Sequence, residues 1–104
     1  MQQLNETEFA KATEAGVVFV DFSAEWCGPC KTIHALLDRI SGSYDGQVSF
    51  YTVDIDEAPA LSARNGVMSV PTIIVFRDGV AVDRVVGAVS ERDLRSRIAG
   101  ALGE

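Results

Sequence analysis

The only two cysteines of the chain, Cys27 and Cys30, stand two residues apart in the run EWCGPCK (25–31). Each is the only disulfide partner the other has within the chain. Such a pair suits three kinds of chemistry: a structural crosslink, half of a metal site, or a dithiol that opens and closes. The crosslink is the weakest of the three. A loop this short takes little entropy from the unfolded chain, and a chain of 104 residues can bury roughly 60–70% of its unfolded surface without a staple. Zinc prefers four ligands. Cys27, Cys30 and the sole histidine, His34, make three, and His34 sits at the edge of an apolar stripe where it needs no function. A redox pair is the reading that remains, with neither metal nor cofactor expected.

A dithiol reacts as its thiolate, so something must lower a thiol pKa. Helical spacing after the cysteines supplies it. Ile33, Leu36, Leu37, Ile40 and Tyr44 fall at i, i+3, i+4, i+7 and i+11, one stripe of a helix. Pro29 suits the first turn of that helix, where a missing N–H costs nothing. Cys27 then lies at the helix N-terminus, where free N–H groups and the helix dipole favour negative charge. It is expected to be the exposed attacker, with Cys30 shielded one step inside. Cys27 would attack a substrate disulfide, and Cys30 would resolve the mixed disulfide. Gly28 and Pro29 add no charge between them, which favours a reductant over a strong oxidant.

The elements that must hold this pair alternate in type. LNETEF (4–9) opens a helix, with Asn5 and Glu8 spaced as a capping box and Leu4 and Phe9 as a hydrophobic staple. VVFVDFS (17–23) is apolar almost throughout, as a strand covered on both faces should be. VSFYTVDID (48–56) reads as a further strand, and 59–64 as a short helix. TIIVF (72–76) and VAVDRVV (80–86) flank the turn RDG, and Ser90 caps a last helix through Leu102. Alternation implies a parallel sheet, and the closing hairpin adds an antiparallel part. The expectation is α/β: a three-layer α/β/α sandwich over residues 1–104, one domain, with about five strands in a mixed sheet and about four helices.

Composition narrows the partners. A net charge of −6 repels phosphate backbones, so nucleic acid is not expected. MQQLNETEF has neither the basic start nor the apolar core of a secretory leader. VVFV and IIVF are too short to cross a bilayer. The expected address is the cytoplasm, where a dithiol is kept reduced and a permanent disulfide is out of place.

DFSAEWCGPCK (21–31), followed about forty residues later by SVPT (69–72), resembles the two signatures of the thioredoxin family. The similarity runs from about Leu4 to Leu102. It implies a thioredoxin fold and a protein-disulfide reductase in which Cys27 is the nucleophile and Cys30 the resolving thiol. It implies that Asp21 is a buried carboxylate beneath the cysteines that accepts a proton. It implies a cis Pro71 facing the cysteines, although the residues alone favour an ordinary trans proline at a strand start. It further implies an apolar substrate rim of Trp26, Val70, Pro71, Val86, Gly87 and Ala88. The partners implied are a thioredoxin reductase drawing electrons from NADPH and disulfide-containing client proteins, with the chain itself a monomer. Three positions depart from common family residues: Ser23 for a tryptophan, Ala35 for a helix-kinking proline, and Thr52 for a lysine near the buried carboxylate. On the residues alone, Asp21 could equally be a strand-end carboxylate satisfied by a loop N–H. The same fold could also serve as a binding module without redox turnover.

Overall fold

The computed structural model describes residues 1–104. Its strands are β1 (Gln2–Gln3), β2 (Val17–Ser23), β3 (Val48–Asp54), β4 (Thr72–Arg77) and β5 (Val80–Val86). Its helices are α1 (Phe9–Thr13), α2 (Gly28–Ser41), α3 (Pro59–Arg64) and α4 (Glu91–Leu102), with one 3-10 turn at Gly42–Tyr44. The sheet order is β1-β3-β2-β4-β5. β3 pairs in parallel with β1 and β2, while β4 pairs antiparallel with β2 and β5.

The near-continuous apolar run of β2 follows from its central place in that order. Its side chains alternate between two cores, because successive strand residues point to opposite faces. Phe19 joins Ile33, Leu37, Leu94 and Ile98 on the side covered by α2 and α4. Val18, Val20 and Phe22 join Leu4, Phe9 and Leu61 on the side of α1 and α3. Three layers result, as the alternation of strands and helices requires. No helix is long and apolar enough to cross a membrane.

Local chemistry sets the ends of the elements. Asn5 Oδ1 accepts from the Thr7 and Glu8 amides, and Glu8 Oε1 accepts from the Asn5 amide. The reciprocal pair expected from LNETEF is therefore made, but it closes a turn and α1 proper begins only at Phe9. β3 ends at Asp54 rather than continuing to Asp56. There Asp54 Oδ1 accepts the Asp56 amide at 2.8 Å, a local bond that turns the chain out of the sheet. The turn between β4 and β5 places Asp78 and Gly79 at positive φ, the pattern that suits a tight hairpin. α2 is unbroken through Ala35.

Ser90 Oγ accepts the Asp93 amide at 3.1 Å and caps α4. Ser90→Ala should lower stability by about 1 kcal/mol. Urea denaturation would read this as a lower midpoint at unchanged slope. An unchanged midpoint would mean that the packing of Leu94 and Ile98 alone sets the start of this helix.

Candidate functional site

β2 runs toward the cysteines and stops at Ser23, and a short loop of Ala24–Trp26 carries the chain to Cys27. Cys27 is the N-cap of α2, with extended backbone (φ −92°, ψ 108°), and Gly28 and Pro29 form the first helical turn. Its Sγ accepts the backbone N–H of Cys30 at 3.2 Å. A sulfur at that position meets a helix N-terminus and a directed N–H, both of which stabilise a thiolate more than a thiol.

Cys27 and Cys30 are joined as a disulfide, with Cα atoms 5.3 Å apart. With Ala24 they form a small buried cluster, against which Ile55 and Val70 pack. Cys27 keeps 5% of its surface and Cys30 keeps 1%. The expected order of exposure is there, but Cys27 is far less exposed than an open attacker would be. The bond to Cys30 and the cover of Val70 and Ile55 account for the difference.

Pro71 is buried, and the Val70–Pro71 bond is cis. Neither the N–H nor the C=O of Val70 is hydrogen-bonded within the chain. Gly87, at φ +90°, donates its N–H to the Pro71 carbonyl at 2.9 Å. That bond brings the segment 86–88 beside Pro71. Val86 and Ala88 are exposed there, and Gly87 is half-buried. Trp26 is exposed, and its Nε1–H donates to Asp56 Oδ2 at 2.9 Å, which fixes the indole across the loop after β3. Met68, 97% exposed, lies two residues before Val70 and adds an apolar side chain that the sequence reading did not single out. Its signal was present in GVMSVPT, where Val67, Met68 and Val70 make the approach to the proline mostly apolar.

Asp21 is the one buried carboxylate. It sits on the α2-facing side of β2, paired across the sheet with Thr52 on β3 and Ile73 on β4. Neither of its oxygens has a hydrogen-bond partner. A carboxylate satisfied by a loop N–H, the alternative left open above, is not what this position holds. Thr52 gives no help, because its hydroxyl donates to the Asp21 backbone carbonyl at 3.0 Å. Burial without compensation pushes the Asp21 carboxyl up from 3.8 to about 7. His34 lies 3.3 Å from Asp38 on the outer side of α2, and no group of three or more potential metal ligands is assembled anywhere.

The sequence model of the thioredoxin family matches residues 1–100. A thioredoxin of Staphylococcus epidermidis is 45% identical over 92 residues, 88% of each chain. A thioredoxin of Staphylococcus haemolyticus is 44% identical over the same span. Among solved structures, a mutant thioredoxin from Halobacterium salinarum superposes with a TM-score of 0.89 at 32% identity, covering 97% of this chain and 89% of that one. Sequence and fold agree along nearly the whole chain, and the bonded cysteines occupy the motif that defines the family's chemistry. The chain belongs to the thioredoxin family, whose paired cysteines make it a dithiol–disulfide oxidoreductase and a reductase of protein disulfides.

Proposed function

We propose that residues 1–104 act as one domain and as a monomer in the cytoplasm, with Cys27 as nucleophile and Cys30 as resolving thiol. The observation that carries this order is the Cys30 N–H directed at Cys27 Sγ at the start of α2. In the reduced protein the Cys27 thiolate attacks one sulfur of a client disulfide. One S–S bond forms as another breaks, and the client's second sulfur leaves as a thiolate that takes up a proton. Cys30 then loses its proton and attacks Cys27. The intramolecular disulfide forms, and the client's first sulfur departs as its thiol. Two electrons have passed from the dithiol to the client. Asp21 is the acceptor for the Cys30 proton, directly or through one water.

The rim around Val70 supports docking of an extended client segment. Its free N–H and C=O can pair with the client backbone, while Trp26, Val86 and Ala88 offer an exposed apolar border, with Gly87 half-buried and Pro71 buried beside them. Thioredoxin reductase, drawing on NADPH, recharges the oxidised form. Clients are proteins with accessible disulfides. The acidic surface disfavours nucleic acid.

Equilibration against glutathione buffers tests the direction of flow. With uncharged Gly28 and Pro29 between the cysteines, the midpoint should lie more negative than about −230 mV, on the reducing side of the glutaredoxins. A midpoint near about −120 mV, the range of strong oxidants, would make this chain a donor of disulfides instead.

A further inference from the structure

A cleft of about 620 Å³ opens beside Cys30, lined by none of the residues of the Val70 rim, and none of the steps above uses it. Small side chains leave it open. Ser23 at the end of β2, Thr52 on β3, and Ala35 and Cys30 on α2 form its walls. Asp21 stands directly behind that wall. It shares a face of β2 with Ser23, two residues on, and Thr52 is its cross-strand partner. Asp21 has no exposed surface, and both of its oxygens are unpartnered. The group lacking partners at the back of the cleft is thus a hydrogen-bond acceptor that can carry negative charge.

The mouth carries the same sign. Glu25, Asp38 and Asp54 line it against Lys31 and His34. Asp38 is engaged by the Met1 ammonium at 2.6 Å, a bond that holds its carboxyl below the usual carboxylate range. Asp54 accepts backbone amides through Oδ1, while Glu25 makes no ion pair. An anion would meet these carboxylates within a chain of net charge −6. A cation with an apolar stem would lay the stem on Ala35 and the Cys30 sulfur and bring its donors to the wall in front of Asp21.

We propose that this cleft receives the ammonium end of a lysine side chain from a partner protein bound at the disulfide, with its charge directed at Asp21. The proposal rests on the docking reading given above. Lysine suits the space better than arginine, because Asp21 presents no surface to the cleft for a guanidinium fork to grip, whereas a compact point charge on a four-carbon stem can act through the wall. Coulomb attraction on a carboxylate that is itself out of reach of water favours its ionised form when the ammonium is seated. Seating the lysine therefore converts Asp21 to the form that accepts a proton. The other charged groups around the cleft, Lys31, His34 and Asp38 on α2, Asp54 on β3 and Glu25 in the loop, stand at its mouth. β4 brings none beside Asp21, since Ile73 is its partner there.

The test uses n-butylammonium as the probe and n-butanol as its neutral counterpart, followed by NMR of the Ser23, Cys30 and Thr52 amides in the whole chain at pH 8. Butylammonium should shift these amides saturably and bind about tenfold more tightly than butanol, as roughly 1.4 kcal/mol of charge attraction to Asp21 through the wall would give. Asp21→Asn should remove that preference, and Ser23→Trp, which fills the cleft, should remove binding of both. Equal response to the two probes, or none, overturns the site. A second arm reads the source of the ammonium. Disulfide peptides with lysine flanking the cystine should show a lower KM than those with norleucine, and Asp21→Asn should erase the difference. Butylammonium binding without any lysine preference overturns the assignment to a partner's side chain. Insulin reduction by the wild-type chain is measured alongside. Its loss with butylammonium binding intact would overturn the reductase reading and leave the site standing.

Discussion

Cys27→Ser abolishes reduction of insulin by a small dithiol, bringing turnover down to the uncatalysed rate, whereas Cys30→Ser leaves a protein that attacks clients and cannot let them go. The asymmetry follows from geometry. Cys27 caps α2 and receives the Cys30 amide, while Cys30 lies inside the first turn with 1% of its surface exposed. A serine hydroxyl in place of Cys27 stays protonated and cannot form a disulfide, so the first step is lost altogether. A serine in place of Cys30 leaves the first step intact but supplies no thiolate to break the mixed disulfide, which accumulates. Non-reducing gels and intact-mass measurement should show client adducts on Cys30→Ser that dithiothreitol releases, and none on Cys27→Ser. Normal turnover by Cys30→Ser would reverse the order of attack.

How far the sequence carries one toward this site depends on the range of the forces involved. The apolar run of β2, the stripe that starts at Ile33 and the Ser90 cap are local patterns with a period or a spacing, and they appear in the structure, except that α2 stops at Ser41 and Tyr44 falls in the 3-10 turn that follows. β3 is shorter than its pattern, because Asp54 prefers a bond to the Asp56 amide over another rung of sheet. α1 starts late, because Asn5 and Glu8 satisfy each other in a turn before the helix begins. Relations between distant segments are of another kind. No spacing rule tells that Gly87 will bond to the Pro71 carbonyl, that Trp26 will reach Asp56, or that Val70 and Ile55 will cover Cys27. The cleft beside Cys30 is the clearest case. Ser23, Ala35 and Thr52 are separate departures along the chain, and only the packing of α2 on β2 and β3 makes them walls of one space.

Asp21→Asn should stabilise the protein at pH 8, leave it about as stable as wild type or weaker at pH 5, and slow the release of clients. The burial and unsatisfied oxygens of Asp21 are the cause, since its charged form is the costly one. Burial raises the folded pKa from 3.8 to about 7, so the native state holds its proton more tightly than the unfolded chain. Below 3.8 both states are protonated, and ionisation costs nothing in stability. The penalty grows as pH rises from there to about 7 and is constant above. At about 1.4 kcal/mol per tenfold difference in proton affinity, the plateau comes to roughly 4 kcal/mol. The asparagine amide is left unpaired in its turn and gives back about 1–3 kcal/mol of that gain. Comparing pH 8 with pH 5 cancels the amide's cost, and the stability advantage of Asp21→Asn should grow by roughly 2–3 kcal/mol between them. Urea denaturation at the two pH values reads this directly. Thr52→Lys places a positive charge near Asp21, lowers its pKa and should shrink the advantage. Single-turnover kinetics at pH 8 supply the functional half: loss of a positioned base should slow the Cys30 attack by about a hundredfold. A destabilised Asp21→Asn at pH 8 would mean that the carboxylate is satisfied in solution. An unchanged release rate would mean that the Cys30 proton leaves by another route.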